Sequence, residues 1–104
     1  MNNLDLSVCS VNTKFKLTAM NTHFADDYGI LFGYSPRLGD EFVSEKIPKD
    51  IMYKWQELFE RAFDGEDVKA EWNTEINKNV SLNIHPIVAD QGEVIGATLR
   101  MKMV

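Results

Sequence analysis

The chain has 104 residues, 44% hydrophobic and 26% charged, which suits one globular domain with an ordinary core. Its formal net charge is −5 and its pI about 4.9. With no basic stripe, an acidic surface repels nucleic acid and anionic lipid, so neither nucleic-acid binding nor direct membrane contact is expected. Cys9 is the only cysteine, which excludes an internal disulfide and a disulfide-stapled secreted module.

No stretch approaches the roughly 20 apolar residues of a membrane span. Residues 1–10 lack the basic region and apolar run of a signal peptide. A reducing, cytoplasmic setting is therefore the expectation. The chain ends on Arg100-Met101-Lys102-Met103-Val104, still in strand rhythm. Residues 1–104 are read as a single domain and as a piece of a longer protein.

Residues 6–12, LSVCSVN, are β-prone, and Asn12-Thr13-Lys14 breaks them. In 15–20, FKLTAM, Phe15, Leu17 and Ala19 alternate with Lys16, Thr18 and Met20, which predicts the second strand of a hairpin. Asn21-Thr22 offers a helix cap, with Asp26 and Asp27 near the first turn. Phe24, Tyr28, Leu31 and Phe32 recur at helical spacing, and Gly33 is placed to stop that helix. Pro36 prevents continuation and pushes Ser35 toward extended geometry, and Leu38-Gly39-Asp40 makes a second corner.

Residues 48–63, PKDIMYKWQELFERAF, form the clearest helix, with Pro48 in its first turn. Ile51, Trp55, Leu58, Phe59 and Ala62 make one apolar stripe, and Asp64-Gly65 ends it. Three strands follow: 68–76, 80–88 and 94–103, joined by turns at Asn77-Lys78-Asn79 and Asp90-Gln91-Gly92-Glu93. The apolar sides are Val68, Ala70, Trp72 and Ile76; Val80, Leu82 and Ile84; and Ile95, Ala97, Leu99, Met101 and Met103. Such alternation means an antiparallel sheet with one face on a core. The plan is α+β, with helices laid on one face of a five-stranded sheet.

This order, with the residues that mark it, resembles the PAS sensory domain over roughly residues 6–104. The marks are the opening strand pair followed by Asn21, the helix into Leu31-Phe32-Gly33-Tyr34-Ser35-Pro36, and the Leu38-Gly39 corner. Next come the long helix ending in Asp64-Gly65-Glu66, and Pro86-Ile87-Val88 with Asp90-Gln91-Gly92-Glu93-Val94-Ile95-Gly96. The last stretch looks like the family's hairpin into the final strand. The resemblance implies sheet order 2-1-5-4-3 and a ligand pocket between sheet and helices. Its candidate lining is Phe24, Tyr28, Phe32, Trp55, Phe59, Trp72 and Leu99. For the two tryptophans and their neighbours, simple core packing is the competing reading.

Cofactors are not expected. Haem-holding PAS domains use a histidine on the long helix, and residues 48–63 contain none. His23 and His85 are read as surface or capping residues, with no metal site. Flavin-binding members carry an Asn-Cys pair in a short helix, whereas Cys9 lies on the first strand as a small buried residue. Asp26-Asp27 and the Asp64, Glu66, Asp67 group are explained by helix charge and solvation. No Ser/His/Asp set is suggested, so no catalytic residue is expected.

The expected function is a non-catalytic sensory module. It binds a small ligand or a partner domain and signals to an effector in the same full-length chain, of histidine kinase or diguanylate cyclase type. The outer sheet face, with Ser81, Asn83, Ile87, Thr98, Arg100 and Lys102, is either solvated or the contact for a partner domain or a homodimer. Two other functions stay open: a ligand-free dimerisation or docking domain, and a small α+β enzyme or carrier with a cone-shaped pocket.

Overall fold

The computed structural model describes residues 6–33, 36–42, 49–73 and 79–103; the side chains of residues 31, 32, 72, 73, 79, 80 and 103 lie outside that set. Five strands and two helices run in the order β1 (Ser7–Asn12), β2 (Leu17–Met20), α1 (Thr22–Phe32), α2 (Lys49–Phe63), β3 (Val68–Asn73), β4 (Asn79–Val88), β5 (Val94–Met103). The strands form one antiparallel sheet in the order β2-β1-β5-β4-β3. This is the expected α+β architecture and strand order.

Period-2 alternation decides which side of each central strand is buried. Cys9, Leu99, Ile84 and Val68 form one register row across β1, β5, β4 and β3, and all four are buried. The neighbouring row sets Ser7 against Met101 and Leu82 against Met101, again inward. α1 packs on β1, and α2 on β3, β4 and β5. Gly96 is required where β5 meets β1, because a Cβ there would stand 2.3 Å from the Val11 carbonyl oxygen.

β2 departs from the expected pattern. Val11 pairs with Leu17, but Cys9 pairs with Met20, so one extra residue is accommodated between them. That bulge flips the alternation: Ala19 is exposed, while Met20 turns toward the core and packs on it. Phe15, expected within this strand, sits before it at φ 64. A non-glycine residue there costs on the order of 1 kcal/mol or more. Its ring gains edge contacts with Phe59 and Phe63 at 6.2 and 5.4 Å between centroids.

The corner after α1 then closes the free edge of β2. Gly39 N–H donates to the Leu17 carbonyl at 2.8 Å, Leu17 N–H to Asp40 at 2.9 Å, and Phe42 N–H to Phe15 at 2.6 Å. Gly39 holds φ 90, which favours glycine. The two corners therefore deliver Phe42 to the core.

Asn21 caps α1 as expected, its Oδ1 accepting from Phe24 N–H at 2.8 Å. The same side chain accepts from Val8 N–H and donates to the Leu6 carbonyl, so it also ties α1 to β1. Gly33 ends the helix in the left-handed region at φ 80. Asp26 and Asp27 follow directly after the first turn of α1, near it as expected.

α2 buries Trp55, Leu58, Phe59 and Ala62, with Ile51 packed partly against the core. Ile95, expected on the core side of β5, is exposed instead. It lies beyond Gly96, the last β5 residue paired with β1, and next to the bulge at Ile87/Val88. Pro48, strand residues 74–76 and the turn residues 77–78 fall outside the described residues.

Candidate functional site

Among the described residues, aromatic rings from α1, α2 and the corner before α2 pack between sheet and helices, with Phe15 at their edge. α1 contributes Phe24 and Tyr28, whose four-residue spacing puts them on one face with centroids 5.4 Å apart. α2 contributes Trp55 and Phe59 by the same spacing, 5.9 Å apart. The corner contributes Phe42. Its ring stands 4.9 Å from Trp55, 5.1 Å from Phe59, 5.8 Å from Tyr28 and 6.0 Å from Phe24. These are contact distances for ring pairs. Among the described residues, Phe42 is thus the one ring that meets both helices' pairs.

Of the sequence-derived lining residues, Phe24, Tyr28, Trp55, Phe59 and Leu99 all belong to one buried cluster. Leu99 is in its floor, on β5. The side chains of Phe32 and Trp72 lie outside the described residues. Phe42 was missed, because it sits in a corner with no periodicity to mark its face. The available clue was a lone phenylalanine just after the Leu38-Gly39-Asp40 corner.

A second group, absent from the sequence expectation, lies where α1 meets β1. Ser7 Oγ donates to Asp27 Oδ2, and His23 Nδ1 is 3.1 Å from that same oxygen. Ser7 Oγ is also 3.1 Å from His23 Nδ1. Asp27 is only 6% exposed and Ser7 is fully buried. Asp27 is therefore not a solvated helix acid, contrary to expectation: a carboxylate taken from water is kept by its hydrogen-bond donors. The signal in sequence was the i, i+4 spacing of His23 and Asp27 combined with the inward register of Ser7.

The three residue types invite comparison with a nucleophilic triad, and the geometry differs from one. A triad needs the histidine to bridge, one ring nitrogen on the acid and the other on the hydroxyl. Here one nitrogen, Nδ1, faces both, and the serine hydroxyl donates to the acid. The group works as a polar clasp between helix and strand.

His85 projects from the outer face, with Nδ1 3.1 Å from Asp67 Oδ1. Asn83 donates to the same oxygen at 2.9 Å and to the Val68 carbonyl at 2.8 Å. Cys9 is buried on β1, and burial pushes its thiol pKa up, which keeps it an unreactive thiol. Among the described residues, no three His, Cys, Asp or Glu side chains converge as metal ligands. No described helix is long and apolar enough to cross a membrane.

No family model and no curated protein matches the chain. Solved structures do match. The PAS domain of BvgS from Bordetella pertussis superposes with a TM-score of 0.77 at 13% identity, over 98% of this chain and 78% of that one. The chain has the PAS fold. A sensory box sensor histidine kinase from Vibrio cholerae matches with a TM-score of 0.71 at 15% identity, over 95% of this chain and 78% of that one. The Aer2 receptor from Vibrio cholerae, a dual PAS-heme oxygen sensor, gives 0.71 at 9% identity, over 95% of this chain and 94% of that one. At such identities the likeness is one of fold. Within the PAS fold of this chain, the aromatic cluster occupies the position between sheet and helices.

Proposed function

We infer that this chain is a sensory and regulatory PAS module that performs no chemistry of its own. It binds a small apolar ligand, or takes up a partner domain, and passes the change to an effector of histidine kinase or diguanylate cyclase type in the same longer, cytoplasmic protein. The observation that carries this is Phe42. Because its ring touches pairs on both helices, a guest that displaces it must shift α1, α2 or both relative to the sheet. Close-packed cores respond to such insertion by moving between discrete packings. A ligand drives that move by its preference for one packing over the other.

No resident cofactor is part of this reading. His23 is engaged with Asp27 and Ser7, and His85 lies outside with Asp67, so neither offers an axial ligand within the aromatic cluster. The absorption spectrum of purified protein is expected to lack Soret and flavin bands; either band overturns this part of the reading. Native mass spectrometry of freshly purified protein tests the ligand. A stoichiometric small molecule lost from a Phe42→Trp variant, which fills the same space, supports the sensor. A bare protein mass in both favours the second reading, a docking or dimerisation domain, which the mutual contact of the core rings also supports. An enzyme reading would need interior polar groups open to substrate, and Asp27, the one buried acid described, is occupied by Ser7 and His23.

A further inference from the structure

We propose that the outer face of β3, β4 and β5 is a docking groove for an acidic protein segment, bound extended with carboxylates on alternate residues. The groove has a volume of about 700 Å³, and its polar lining includes Lys69, Ser81, Asn83, Arg100 and Lys102, with Leu6 as an apolar shoulder. The strand register places these groups in two adjacent rows. Lys69 is opposite Asn83, and Asn83 opposite Arg100; Glu71 is opposite Ser81, and Ser81 opposite Lys102.

The charge of this face runs against that of the molecule. The chain carries −5 overall, yet the groove is lined by three cations and one carboxylate, Glu71. Among the described residues, the ion pairs are His23–Asp27, Arg61–Glu66 and His85–Asp67, so none of the three cations is taken. Their positive field is left for a partner.

Spacing selects the occupant. Residues two apart on a strand repeat at roughly 6.8 Å, and strands lie roughly 4.8 Å apart. Arg100 and Lys102 are therefore about 7 Å apart along β5, and Lys69 about 10 Å from Arg100 across β4. A single small anion cannot reach all three. An extended segment with acids at alternate positions repeats at the same interval as Arg100 and Lys102, and Arg100 can take a carboxylate in bidentate fashion. A second copy docked face to face through a two-fold axis would set the cations against themselves. A nucleic-acid strand finds no aromatic stacking platform in the lining. The proposal stands on this face alone, whether or not the core takes a ligand.

The test is a titration of the isotope-labelled protein with an octapeptide of alternating glutamate and alanine, followed by amide NMR. Expected are shifts centred on Lys69, Ser81, Arg100 and Lys102, an affinity that falls as salt rises, and no shifts with the glutamine counterpart. The Arg100→Glu/Lys102→Glu double variant should weaken binding about tenfold or more, and Lys102→Gln alone about threefold. Its amide spectrum away from β5 should remain that of the parent. Shifts that are absent or centred elsewhere overturn the proposal. So does inorganic phosphate reproducing them at equal concentration, an oligothymidylate binding more tightly than the peptide, or sedimentation showing a dimer that Arg100→Glu dissociates.

Discussion

The two faces of the sheet are made by the same strands and do opposite things. On β5, Ala97, Leu99 and Met101 point under the helices and are buried, while Arg100 and Lys102 point away and are exposed. On β4, Leu82 and Ile84 are buried between Ser81, Asn83 and His85, which are only partly so. One residue's step along a strand moves from stability to recognition. Substitutions at adjacent positions should therefore separate folding from binding, and a failure of that separation would break the comparison.

The largest effect belongs to the inner face. Phe42→Ala removes the ring that both helices' aromatic pairs share and is expected to cost about 3–5 kcal/mol. For a domain of this size that is a fall in Tm of roughly 12 °C or more, read by thermal or urea denaturation. A loss below about 1 kcal/mol would mean that Phe42 is a cover rather than a keystone, since cavities in packed cores always cost more.

Next comes a matched pair on β1. Ser7 points inward and donates to the buried Asp27, whereas Ser10 points outward and shares a 3.2 Å hydroxyl contact with Thr98. Ser7→Ala leaves a buried carboxylate short of a donor and should cost about 1–3 kcal/mol. Ser10→Ala removes one half-exposed contact and should cost under about 1 kcal/mol. Urea midpoints of the two variants compare them directly. Equal losses would show that the clasp between α1 and β1 contributes no more than a surface hydroxyl pair.

Why the inner face was largely legible and other parts were not follows from the same residues. Period-2 alternation in β4 and β5, the Asn21 cap and the Gly33 stop are local signals, each written within a few neighbouring positions. The stripe of Trp55, Leu58, Phe59 and Ala62 is equally local. Phe42 has no period around it, and its place depends on β-type hydrogen bonds from residues 39–42 to residues 15–17. The burial of Asp27 depends on Ser7, twenty residues away. The bulge in β2 is a register event between strands, invisible in the alternation of either strand alone. The outer cations could be named from sequence, but which of them share a groove required the pairing of three strands.

A smaller effect is expected on the outer face. Arg100→Glu with Lys102→Glu changes exposed side chains with no described ion-pair partner, so stability should stay within about 0.5 kcal/mol of the parent. Denaturation in urea checks this. A loss approaching that of Ser7→Ala would show that the outer cations support the fold and would remove the division of labour between the faces.

The smallest effect lies on the rim between the faces. Arg61, in the last turn of α2, donates from Nε to Glu66 Oε2 at 3.0 Å, and the pair is about half exposed. The hydrogen bond from Arg61 holds the Glu66 carboxyl below the usual carboxylate range. A carboxyl depressed in the folded state adds stability that is present above its unfolded pKa and lost as pH falls through the folded one. Arg61→Gln should therefore raise the Glu66 midpoint toward the ordinary carboxylate value in a side-chain NMR titration. At neutral pH the denaturation midpoint should fall only slightly, because solvent screens a pair this exposed. An unchanged Glu66 midpoint would mean that the pair is not formed in solution. The α2–β3 corner would then be held by Gly65, which adopts φ 97, and by the backbone bond from Glu66 to Arg61.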